Sequence, residues 1–183
     1  MDFLDKAKGG MGKLEELMYK LPGLKGYKEK ELRREADKTV RDLLARELGD
    51  QRQRLANIQM ELINSGGLRW VDDVDRAVTK LQLLTDRIKT ASYGYAPLFD
   101  DVRVKEAQLD ALVQFDQQMT EQAVELKDAV DTLAGAVMRK EGIGEAIPPL
   151  NNLLDELNTT WGHRDEAILN AGTYTTPGGD EPR

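Results

Sequence analysis

The chain contains no cysteine and only one histidine, His163, among its 183 residues. The absence of cysteine excludes disulfide bonds, a thiol nucleophile and every thiolate metal site, and it favours an intracellular protein. With one histidine, the chain also lacks the Glu-x-x-His motifs that build the di-metal carboxylate sites of helical bundles. We therefore expect no catalytic residues, no bound metal and no cofactor.

Long apolar stretches are missing as well. No run of about 18 apolar residues occurs, although a helix that spans a membrane needs roughly this length. The N-terminus carries Asp2 and Asp5 and has no apolar segment, so it does not read as a cleaved secretion signal. The sequence therefore predicts a cytoplasmic protein, with peripheral attachment to a membrane left open.

Aromatic residues make up only 5% of the chain, whereas hydrophobic residues make up 40% and charged residues 32%. Leu, Val, Ala and Met must then fill most of the core. This composition suits a helical bundle or coiled coil better than a β-sandwich. The length suits a single domain.

Acidic residues outnumber basic ones, since 33 Asp or Glu and 26 Lys or Arg give a formal net charge of −7. This balance argues against nucleic-acid binding, which needs a positive surface to neutralise phosphates. The charge is uneven, because residues 1–54 carry a net +3 and residues 55–183 a net −10. The basic third can face an acidic partner, a membrane, or the acidic remainder of a neighbouring copy.

What the chain does contain is regular helical patterning. Apolar residues recur at alternating steps of three and four residues, which is the spacing of amphipathic helices that pack as coiled coils. Stretches with Gly or Pro interrupt this pattern. The pattern predicts five helices, over residues 2–20, 25–64, 68–92, 100–140 and 149–170.

Short connections place successive helices side by side. We therefore predict an all-α fold, an elongated antiparallel helical bundle or coiled-coil hairpin of about five helices, two of them long. The predicted parts are a short amphipathic N-terminal helix over 1–21, a helical bundle over 25–172, and a disordered tail over 173–183, which is rich in Gly, Pro and Thr.

Polar residues on the predicted helices have competing interpretations. Asp116 falls on an apolar stripe, where it either sets register as a buried polar residue or turns toward water while Val113 takes its place. His163, near the middle of the last predicted helix, is interpreted as an ordinary polar residue. The acidic residues Asp72, Asp73 and Asp75 lack the spacing of a calcium loop, and they lie where they complement a helix dipole.

Two segments are candidate contact surfaces. The N-terminal helix presents an apolar side, and the stretch 93–99 carries three of the ten aromatic residues. That stretch is either a recognition loop or, as we favour, a cap on the end of the bundle. The predicted partner or membrane contacts are Phe3, Leu4, Met11, Leu14, Met18, Tyr93, Tyr95 and Phe99.

The favoured functional hypothesis is a non-enzymatic scaffold or interaction protein. It would associate with itself or with another helical protein through coiled-coil faces, because long helices with regular three- and four-residue steps are what knobs-into-holes packing requires.

The alternative hypothesis is a peripheral membrane protein whose N-terminal amphipathic helix lies in the lipid interface. An amphipathic N-terminal helix followed by a long helical hairpin resembles, in layout, the phage-shock-type membrane-remodelling proteins. This resemblance implies a role in membrane remodelling or stress.

Overall fold

The computed structural model describes residues 30–91, 106–164 and 166, with side chains from residue 38 in the first segment and from residue 114 in the second. In these residues the chain forms α-helices and no strand, which confirms the all-α prediction for the part described. The helices are α1 (Lys30–Ser65), α2 (Val71–Thr90), α3 (Glu106–Arg139) and α4 (Ile143–Gly162), and a 3-10 helix, Leu68–Trp70, precedes α2.

The four helices form two hairpins that lie side by side. Helix α1 packs against α2 and α3, and α4 packs against α3 and α2. The helices within each hairpin are antiparallel. Between the hairpins, Asp73 meets Asn151 while Lys80 meets Asn158, so both partners advance by seven residues and α2 runs parallel to α4. Helices α1 and α3 are therefore parallel as well.

One hydrophobic core runs between the four helices, and parallel neighbours fill it at matching positions. Each buried residue of α1 has a buried counterpart 75 positions later in α3, as for Val40 and Phe115 or Leu62 and Val137. The buried apolar residues of α2 correspond in the same way to residues 73 positions later in α4. Side chains at the same height thus form shared layers.

The two hairpin turns end their first helices with the same hydrogen bond. Gly66 adopts a left-handed φ of 87°, and the Gly67 N–H donates to the carbonyl of Leu62 at 2.8 Å. In the second turn Lys140 adopts a φ of 56°, and the Glu141 N–H donates to the carbonyl of Ala136 at 3.1 Å. This geometry satisfies carbonyls at a helix C-terminus, and it favours glycine at the left-handed position.

The boundaries of the last helix differ from the prediction. Helix α4 begins at Ile143, not at residue 149, and both Pro148 and Pro149 lie inside it. The left-handed conformation of Gly142, with a φ of 75°, lets the chain turn directly from α3 into α4. Both prolines are exposed, so water can reach the carbonyls that lose their usual donors.

The last predicted helix is interrupted before residue 170, because a turn at His163 separates α4 from residues 164 and 166, which are again helical. Helix α4 ends at Gly162, and the N–H of His163 donates to the carbonyls of Thr159 and Thr160. His163 is therefore an exposed residue at the helix end and not a mid-helix residue. Residues 167–170, like the predicted helix over 1–21 and the tail over 173–183, lie outside the described residues.

None of the described helices combines the length and the apolar content that crossing a membrane requires.

Replacing Lys140 by Gly should raise the free energy of unfolding by about 0.5 to 1 kcal/mol, because glycine has no Cβ to clash in the left-handed conformation. Urea denaturation measures this change. Gly66→Ala, the matched substitution in the other turn, should lower stability by a similar amount. A destabilising Lys140→Gly would contradict the role assigned to this conformation.

Candidate functional site

The contact residues predicted from the sequence all lie outside the described residues. The aromatic residues of 93–99 and the apolar residues of the N-terminal helix therefore stay predictions. The candidate site built below consists of polar residues that the structure places inside, or between, the four helices.

The acidic residues at the start of α2 are explained by local contacts. Asp72 and Asp73 lie in the first turn of the helix, where negative charge complements the helix dipole. Asp73 also pairs with Arg76, and Asp75 accepts a hydrogen bond from Gln59 of α1 at 3.1 Å. Within the described part of the chain, no group of three His, Cys, Asp or Glu residues is arranged to hold a metal ion.

The most unusual polar residue is Arg164, which follows the end of α4. It is 2% exposed, and it continues the apolar stripe of α4 three residues after Trp161. Its guanidinium carbon lies 4.9 Å from the centre of the Trp161 ring and 5.7 Å from that of Phe115 on α3. The two rings are themselves 5.9 Å apart. The cation is thus held against aromatic faces, an arrangement that the ring quadrupole favours.

Asp116 supplies the opposite charge for this arginine. Its carboxylate oxygen lies 3.9 Å from Nη2 of Arg164, and Asp116 is 9% exposed. Of the two interpretations of Asp116, the buried one is therefore correct. Arg41, the α1 residue 75 positions before Asp116, is also buried. Thr120, one turn along α3, donates its hydroxyl to the Asp116 carbonyl at 2.8 Å.

These residues mark the end of the bundle at which α2 and α4 stop, which we call the open end. Ionic groups cost several kcal/mol to remove from water, and this cost is offset only when they have partners and good geometry. A helix that slid along its neighbour by one turn would separate Asp116 from Arg164 and leave buried charges. The cluster therefore favours one alignment of α3 with α4.

A second polar feature joins the hairpins, and we call it the α2–α4 polar seam. Asn151 and Asn158 of α4 donate their side-chain amides to the backbone carbonyls of Asp73 and Lys80, at 3.4 and 3.3 Å. In the opposite direction, Lys80 and Arg87 of α2 donate to the carbonyls of Asn151 and Asn158, at 3.4 and 3.1 Å. The same exchange thus occurs twice, seven residues apart, as parallel helices in a fixed register allow.

A groove of about 350 Å³ opens along this seam near the hairpin turns. Its charged residues engage one another, because Lys80 pairs with Asp155 at 2.7 Å and Arg76 pairs with Asp73. The Trp70 ring closes one end against α4, where a Cβ added at Gly144 would lie 2.6 Å from it. The groove has no net charge from these four residues, so its charges select no particular ligand.

The seam between α1 and α3 carries a corresponding network. Gln51 of α1 is buried in the bundle. Its side-chain amide donates a hydrogen bond to Glu47 at 3.0 Å and accepts one from Arg54 at 2.9 Å. Arg54 also pairs with Asp131 of α3. Polar contacts therefore join the two hairpins on both sides of the core.

Comparison with family models, with curated proteins and with solved structures gives no match for this chain. The functional argument accordingly rests on the residues and their geometry.

Arg164→Met should lower the free energy of unfolding by about 3 kcal/mol, because it removes a buried cation that lies 3.9 Å from the Asp116 carboxylate. Combining it with Asp116→Leu should restore most of the loss, since a matched apolar pair replaces the two charges. Lys89→Met, at an exposed position of α2, is the control and should change stability by less than about 0.5 kcal/mol. Urea denaturation measures the free energy of unfolding of Arg164→Met, Asp116→Leu and the double variant. If the losses of the two single variants simply add in the double variant, the pairing is contradicted.

Asn158→Leu should leave stability within about 1 kcal/mol of the unmodified chain, since the amide oxygen that it removes is buried without a hydrogen-bond partner. Asn158→Asp should cost about 2 kcal/mol or more, because a carboxylate would face the Lys80 carbonyl. Thermal unfolding of the two variants measures the difference. Equal losses in the two variants would show that a carboxylate facing the Lys80 carbonyl carries no extra penalty.

Proposed function

We propose that this chain is a non-enzymatic helical scaffold that associates with itself or with a partner helix through coiled-coil faces. The observation that carries the proposal is the unequal length of the helices. Helices α1 and α3 have 36 and 34 residues, whereas α2 and α4 have 20 each. Two long parallel helices therefore continue where their shorter neighbours end.

The extra length lies at the open end. The last described buried layer of α1 and α3 contains Val40 and Phe115, and the Phe115 ring lies beside that of Trp161 on α4. Residues 30–39 and 106–114 continue α1 and α3 beyond this layer, and we call them the paired arms. At a rise of 1.5 Å per residue they extend it by roughly 15 Å. None of the described residues of α2 and α4 lies beside them.

The apolar stripes of the sequence continue along the arms. Leu32 and Ala36 precede Val40 at steps of four residues, and Leu109 and Leu112 precede Asp116 at steps of three and four. An apolar stripe on a water-exposed helix needs a surface to cover it. This continuation supports association through the arms, since the seam residues of the described core are buried within one chain.

The proposal includes two finer features of the fold. One is coiled-coil packing along the stripes, and the other is a fifth helix over residues 1–21. The non-enzymatic part is supported by the absence of cysteine from the chain and by the position of its one histidine, which is exposed at the end of α4. A helical enzyme normally brings a base and a nucleophile, or paired carboxylates, into one cleft.

Peripheral membrane attachment is the second candidate, and it depends on residues 1–21. Their sequence places Leu4, Met11, Leu14 and Met18 at steps that align along one side of a helix. Such a helix can fold on a lipid surface. Flotation with liposomes tests this candidate, because deleting residues 1–21 should abolish binding if this helix is the anchor.

Light scattering after size-exclusion chromatography tests the scaffold proposal. We expect the full chain to show a mass above its monomer mass of 20.5 kDa. The chain without residues 1–21 is measured beside it, since a large species that depends on this segment would assign assembly to the N-terminal helix. A compact monomer at every concentration would contradict self-association.

A further inference from the structure

We draw no further inference here: the strongest candidate, the surface near the two hairpin turns where the apolar side chains of Met60, Ile63, Leu68 and Met138 are exposed, carries none because nothing in the structure shows what covers it.

Discussion

Parallel helices that fill the core at shared heights are the constraint on which the rest of the structure depends. Because α1 and α3 keep a constant separation of 75 positions, and α2 and α4 one of 73, one alignment of the hairpins determines every layer. The turn between α3 and α4 is two residues shorter than the stretch between α1 and α2, which accounts for the difference between the two separations. The same alignment brings Trp70 against Gly144 at one end and Phe115 against Trp161 at the other.

Apolar layers alone leave this alignment weakly specified, because a helix shifted by one heptad still presents leucines to the core. The polar residues remove that degeneracy. Asn151 and Asn158 reach specific carbonyls of α2, and Arg164 has Asp116 and two aromatic rings at a single height. Buried polar groups of this kind cost stability relative to an apolar pair, and a unique register is a benefit that can offset the cost. Substitutions at these positions therefore test alignment separately from overall stability.

Much of the fold follows from the sequence, and the exceptions have physical reasons. The end of α1 at the Asn64-Ser65-Gly66-Gly67 stretch was predictable because glycine there permits the left-handed turn. The start of α4 was not, because Pro148 and Pro149 suggest a first turn, whereas Gly142 already begins the helix. Asp116 was visible as a polar residue on an apolar stripe, but Arg164 was missed. Its three-residue step from Trp161 was the available signal, and only the folded chain shows which carboxylate it meets. Periodicity likewise gives the apolar face of a helix but not whether its neighbour is parallel.

The placement of the turns makes the two ends of the bundle different from each other. At one end lie two short turns, Gly66–Gly67 and Lys140–Gly142, and each turn connects two antiparallel helices. At the other end α1 begins, α2 ends, α3 begins and α4 ends. The first residue of α1 and the last residue of α4 therefore lie at the same end of a rod, together with the end of α2 and the start of α3. A fusion partner, a tether or a surface anchor joined before α1 or after α4 would therefore attach at that end of the rod, and the two turns would lie at the far end.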